Sequence, residues 1–317
     1  MNKTGYFTHT DCWKHEMGSG HPECPERLDA IEDRLLASGV KDALDPQEAP
    51  LAAIGDIELA HDRMLVAAIR GLSDQLADDI RAGGPAYVQI DPDTALNVHT
   101  WNAALRAAGA AIAATDAVIA GEMDNAFCAV RPPGHHAERS KAMGFCFFNN
   151  IAIAAKYALE RHGLKRVAIV DFDVHHGNGT EDIIRGDDRI LMVSFFQHPL
   201  YPFSGADTQA PNMVNLPVPA YTKGMEVREL IEMMWMPRLE EFKPEMIFIS
   251  AGFDAHREDD LGQMNLNEQD YAWITERIKN VAKRHAKGRI VSALEGGYNL
   301  GALGRSVEAH IRVLAGL

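Results

Sequence analysis

Two aspartates and two adjacent histidines crowd the segment VDFDVHHGNGT, residues 170 to 180. An apolar run, Val167 to Val170, leads directly into it. Carboxylates and imidazoles at the end of a buried strand cost several kcal/mol each unless they find partners. A bound cation is the simplest common partner. Asp173 and His175 stand two apart, and on an extended strand end residues i and i+2 point the same way. Both can therefore reach one ion from a single short segment. Asp254, in GFDAH, is the best third ligand. An Asp-His-Asp set leaves the remaining coordination positions open for water and substrate, which marks a catalytic rather than a structural site. The set is oxygen-rich for zinc and leaves Fe²⁺ and Co²⁺ open.

His135 and His136 form a tandem pair after Pro132, Pro133 and Gly134. Adjacent imidazoles beside a metal-activated water suit general base and general acid work. Each needs a partner on its other ring nitrogen. Asp171 suits one and Asn178 the other, and a carboxylate and an amide would give the rings different basicity. Tyr298, in EGGYN, follows a Gly-Gly turn that can set its phenol over the site. One donor to a developing oxyanion is worth about 3 kcal/mol. Metal-activated water, a His pair and a Tyr are equipment for hydrolysing an amide or ester carbonyl. No G-x-S-x-G elbow is present, and no serine or cysteine nucleophile is required.

Such a site needs elements that bring distant segments together. Short apolar runs alternate with helical patterns. Strands are predicted over Ala126–Val130, Val167–Asp171, Ile190–Phe195, Val214–Val218, Met246–Ser250 and Ile290–Leu294. Helices are predicted over Pro25–Ser38, Thr100–Ala120, Asn150–His162, Gly224–Phe242, Asn267–Ala286 and Leu300–Ala315. The Ala-rich stretch Thr100–Ala120 is apolar nearly all round and should be buried. The alternation predicts an α/β fold, a single domain spanning residues 1–317. Its central sheet should be mainly parallel, with helices on both faces. Ligands then sit outside the carboxyl ends of the strands. The unusual residues fall there: RPPGHHA, DFDVHHGNGT, AGFDAH and EGGYN each follow a predicted strand.

The totals exclude several classes. The chain has 317 residues, with 31 Lys plus Arg against 45 Asp plus Glu, for a net charge of −14. That balance argues against nucleic acid or an anionic membrane as partner. No run of about 18 consecutive apolar residues appears, so no membrane span is expected. The four cysteines, Cys12, Cys24, Cys128 and Cys146, form no C-x-x-C pair. With no apolar leader near the N-terminus, they suggest reduced thiols and a cytoplasmic location. Assembly into a homo-oligomer stays open.

With these residues in hand, the chain resembles the zinc-dependent histone deacetylase family, within the arginase–deacetylase fold. The likeness runs from HPECPERL at residue 21 to EGGYNLGAL near the end, through RPPGHHA, GFCFFNN, DFDVHHGNGT and SAGFDAH. Asn178, where other members carry Asp, resembles the class II branch. The resemblance implies zinc on Asp173, His175 and Asp254, proton transfer by His135 and His136, and carbonyl polarisation by Tyr298. It implies that Asp171 orients His135 and helps hold a structural potassium ion. Ser194 and the backbone carbonyls of Asp173, His175 and Phe195 would complete that potassium site. It implies a tunnel for the acyl-lysine stem walled by Phe145 and Tyr201, with Gly144, Leu261 and Gly296 beside them, and Arg27 near an internal acetate channel. The implied partners are an acylated lysine peptide or an acylated polyamine or other small amine.

Arginase-like ureohydrolases need D-x-H-x-D and D-x-D for a second metal, but Gly177 and His256 occupy the last positions here. Acetylpolyamine amidohydrolases share the catalytic residues. Leu261 falls where polyamine-selective relatives carry an acidic residue, which favours acyl-lysine or a broad acylated amine. A binding module that has lost catalysis is disfavoured by the complete set of ligands, histidines and tyrosine. The segment 91–97 is expected to meet the substrate backbone, with no single residue chosen.

Overall fold

In the computed structural model, which describes residues 2–208 and 210–317, an eight-stranded sheet forms the centre. The described residues supply ten strands. They are β1 Thr4–Thr8, β2 Leu44–Glu48, β3 Val88–Asp91, β4 Thr94–Leu96, β5 Asn125–Cys128, β6 Val167–Asp171, β7 Ile190–Gln197, β8 Met213–Val218, β9 Met246–Ala251 and β10 Ile290–Leu294. The large sheet runs β2-β1-β5-β10-β9-β6-β7-β8, and every pair in it is parallel. β3 and β4 form a separate antiparallel hairpin. The inner strands β5, β6, β7, β9 and β10 are buried along their whole length. They read as unbroken apolar runs because helices cover both faces. Both edge strands carry a proline, Pro46 in β2 and Pro217 in β8, where a missing N–H costs no ladder bond.

On one side, the helix Thr100–Ala120 packs against Asn150–Glu160 and lies over β1, β5 and β10. It is the one described helix long and apolar enough to cross a membrane, yet most of it is buried here. Its alanines let the sheet approach closely. On the other side, Leu300–Ala315 packs between Glu26–Ala37 and Glu268–His285. His310 on that helix meets the edge of Phe127 from β5.

β6, β10 and the helices Thr100–Ala120 and Leu300–Ala315 have the expected bounds, and the other predicted elements shift by a few residues. Several elements differ. The expected helix Gly224–Phe242 is interrupted by a π turn at Ile231–Trp235. Pro237 follows that turn, and its missing N–H and ring cannot continue a regular α ladder. The strands β1, β2, β3 and β4 were not predicted: they are short, and β2 is largely polar. The helix Arg63–Arg81 was also missed, although Leu65, Val66, Ile69 and Leu76 bury a face at helical spacing.

The consequence for function lies at one edge of the sheet. β5, β10, β9 and β6 are consecutive neighbours and all parallel. Their carboxyl ends therefore open on one place, and those ends carry the histidine pair, Tyr298, Asp254 and the 171–178 cluster.

Candidate active site

The floor of the site is the group Asp173, His175 and Asp254, all buried, with ligand atoms within 4.8 Å of one another. Each carboxylate is aimed by backbone. Asp173 Oδ2 accepts from Gly296 N–H at 2.8 Å and Oδ1 from His175 N–H at 2.9 Å. Asp254 Oδ1 accepts from Val174 N–H at 2.9 Å. Asp254 Oδ2 is buried without a hydrogen-bond partner, 3.2 Å from His175 Nδ1. Burial, and then Asp173, push the Asp254 carboxyl up to about 7. Two carboxylates so close cannot both stay ionised in a dry place without a cation. A divalent ion at this point satisfies the orphaned oxygen and both charges, so the donor set fits a metal with open positions. Gly296 lies beside the carboxylates, where a Cβ would come within 1.9 Å of Asp254 Oδ2.

The two histidines sit against this floor with ring centroids 4.0 Å apart. His135 Nδ1 lies 3.0 Å from Asp171 Oδ2. His136 Nδ1 lies 2.7 Å from Asn178 Oδ1. The amide of Asn178 donates to Glu138 Oε1 at 2.7 Å, which turns its oxygen toward His136. His136 therefore carries its proton on Nδ1 and leaves Nε2 bare. Burial would lower both imidazoles. For His135 the facing carboxylates of Asp173 and Asp171 outweigh burial and hold it well above its ordinary value. His136 stays well below, from burial and then the neighbouring His135 and His175. The two rings are thus split in basicity: nearby carboxylates raise His135, while burial and neighbouring imidazoles lower His136.

A cavity of about 220 Å³ leads to this floor, lined by Asp93, His136, Gly144, Phe145, His175, Leu200, Tyr201, Leu261 and Tyr298. Phe145, Tyr201, Leu200 and Leu261 make its walls apolar. Gly144 and Phe145 both take left-handed backbone, with φ of 57° and 67°. A Cβ on Gly144 would meet the His136 ring at 2.6 Å. Thr94 Oγ1 accepts the Phe145 N–H at 2.9 Å and braces this turn. Tyr298 meets Phe145 edge-on at 5.9 Å. Arg27 lies over its face at 4.9 Å while binding the carbonyls of Glu295 and Gly297. The segment 91–97 runs from the last residue of β3 through the hairpin turn and β4, and it presents Asp93 at the cavity. His21 packs on Phe145 at 4.7 Å. Ser194 pairs with Asp171 in the β6–β7 register. Leu200 was not anticipated, although it adjoins Tyr201 in HPLYP. All four cysteines are free.

A profile of the histone deacetylase domain matches residues 21–314. The chain is 38% identical over 288 residues to a histone deacetylase-like amidohydrolase of Pseudomonas aeruginosa, covering 89% of this chain and 73% of that protein. It is also 38% identical over 325 residues to a probable deacetylase of Archaeoglobus fulgidus, covering 99% of this chain and 86% of the relative. Among solved structures, the HDA15 HD domain superposes with a TM-score of 0.91 at 32% identity, covering 100% of this chain and 90% of that one.

Proposed function

The chain belongs to the histone deacetylase family, and from that premise we propose that this amide hydrolase is a zinc-dependent deacetylase acting on acylated lysine or a related acylated amine. The observation that carries the reading is the apolar cavity of about 220 Å³ that ends on Asp173, His175 and Asp254. Acylation removes the charge of an amine, and only a neutral stem enters such walls at low cost.

Zinc held by Asp173, His175 and Asp254 would supply Lewis-acid activation of the carbonyl and of the attacking water. The residues of the chain do the rest. Phe145, Tyr201, Leu200 and Leu261 hold the stem and exclude solvent. His136, neutral with Nε2 bare, takes the proton of the attacking water. His135, with Asp171 on its Nδ1, supplies the proton that the departing amine needs. Tyr298 donates to the acyl oxygen as it gains charge, and Arg27 against its face keeps the phenol in place. Asp171, Ser194 and the carbonyls of Asp173, His175 and Phe195 are proposed to hold a potassium ion that stiffens the β6 end.

An acetylpolyamine amidohydrolase is the second reading. Asp93 at the cavity, with Asp91 in the same hairpin, offers carboxylates to a distal ammonium. Leu261 on the wall offers none, which favours the first reading. The test is a panel run with zinc-loaded protein: acetyl-lysine peptide, acetylputrescine and acetylspermidine. Peptide turnover at the higher kcat/KM is expected. Turnover of the polyamines alone would move the function to the second reading.

A further inference from the structure

Glu295 is fully buried at the end of β10, three residues before Tyr298, and the chemistry above leaves it unused. Its carboxylate has three donors. Oε2 accepts from Gly134 N–H at 2.6 Å and from His135 N–H at 3.1 Å. Oε1 accepts from Ser250 Oγ–H at 3.0 Å. Its own backbone N–H continues the sheet to Ala251 O at 2.9 Å, and its carbonyl accepts from Arg27. The β5–β10 ladder ends at Ala293 and Cys128. Beyond that pair the two strands part, and the Glu295 side chain replaces the missing backbone pairing. Consecutive N–H groups turned on one carboxylate form an anion-binding nest, and such charge-assisted bonds are the strong ones.

We propose that Glu295 is the positioning residue of the tandem-histidine turn. It ties the turn bearing His135 and His136 to the turn bearing Tyr298, and so sets the spacing between proton transfer and oxyanion donor across neighbouring strands. His135 then meets Asp171, and His136 meets Asn178, because their backbone is held from the opposite side. Glu295 touches neither substrate nor metal in this scheme. The kinetic part rests on the deacetylase reading; the positioning itself does not.

The experiment compares wild type, Glu295→Gln and Glu295→Ala, each as the full zinc-loaded chain. Residue-resolved amide exchange at Gly134 and His135 is measured first, with Ala126–Cys128 as the internal reference. Exchange at the two amides is expected to quicken about tenfold in Glu295→Gln, where a neutral oxygen replaces the carboxylate, and further in Glu295→Ala, with the reference unchanged. Kinetics on the best substrate of the panel follow. In Glu295→Ala, kcat should fall about 100-fold with KM within about threefold, and Glu295→Gln should recover most of the loss. Wild-type exchange at both amides in Glu295→Gln would overturn the proposal, as would a kcat for Glu295→Ala within about threefold of wild type. Absence of turnover by the wild type would sink the substrate reading alone, because the exchange result still decides the role of Glu295. If Glu295→Ala does not fold, the exchange rates of the isosteric Glu295→Gln decide it.

Discussion

The phenol of Tyr298 is asked for one interaction, a hydrogen bond that strengthens as the acyl oxygen gains charge. Removing only that hydroxyl tests the assignment. Tyr298→Phe keeps the ring that faces Phe145 and Arg27, so stability and zinc content should stay near wild type. The expected fall in kcat is about 10²–10³-fold, the usual cost of one oxyanion donor. A fall of less than threefold, about 0.7 kcal/mol, would remove Tyr298 from the chemistry. Asp254 makes a different prediction. Its Oδ1 is held by Val174 N–H while Oδ2 has no hydrogen-bond partner and is free to meet an ion. Asp254→Asn keeps the backbone bond and removes the charge. Zinc per chain, measured by metal analysis after dialysis, should drop well below one.

Single residues act here only because elements deliver them. The β3–β4 hairpin lies outside the main sheet, yet it sets one tunnel wall: Thr94 Oγ1 takes the Phe145 N–H where the backbone is left-handed. A non-glycine residue in that region costs of order 1–3 kcal/mol and needs such bracing. Thr94→Val removes the acceptor and keeps the shape. It should loosen Phe145, raising KM by about 5- to 20-fold while kcat changes little, since a bond of this kind is worth about 1–2 kcal/mol. Equal changes in both constants would show that the hairpin also reaches the reacting atoms. The four central strand ends are the larger case. Their ligands and histidines meet because β5, β10, β9 and β6 are neighbours, and a change in strand order would scatter them.

At the scale of the whole molecule, charge buried for function becomes a matter of stability. A cation that binds the folded state alone stabilises it by mass action. Chelation should therefore lower Tm, and added zinc should restore it in proportion to the logarithm of its concentration. An unchanged Tm would show that the Asp173–His175–Asp254 group holds together without a metal. Acid sensitivity is built in elsewhere. Burial brings the imidazoles of His15 and His310 down to about 3 and that of His61 to about 4. In the unfolded chain they titrate near about 6.5. Because the folded values are depressed, their stability is present above that pH and is lost as pH falls toward the folded values. Each group accounts for about 2 kcal/mol lost by about pH 5. Urea unfolding at neutral pH and near pH 5 checks this, and equal free energies at the two values would contradict it.

The amino-acid sequence by itself determined the chemistry. Ligand pairs such as Asp173 and His175 need only local strand geometry, and the apolar runs before each cluster mark the carboxyl ends of parallel strands. Asp171 and Asn178 could be named as imidazole partners for the same reason, since they flank the ligands in one short segment. The tertiary structure decided everything that crosses between segments. Asp93 faces the cavity because of the way the hairpin folds, and Leu200 lines it beside Tyr201. Gly296 packs against the ligand carboxylates because Asp173 and Asp254 approach it from two other strands. Glu295 could be read in EGGYN, but its partners Gly134 and His135 lie 161 and 160 residues away. The physical reason is the same in each case: a side chain's type is local, whereas its burial and its hydrogen-bond partners are set by which strands lie side by side.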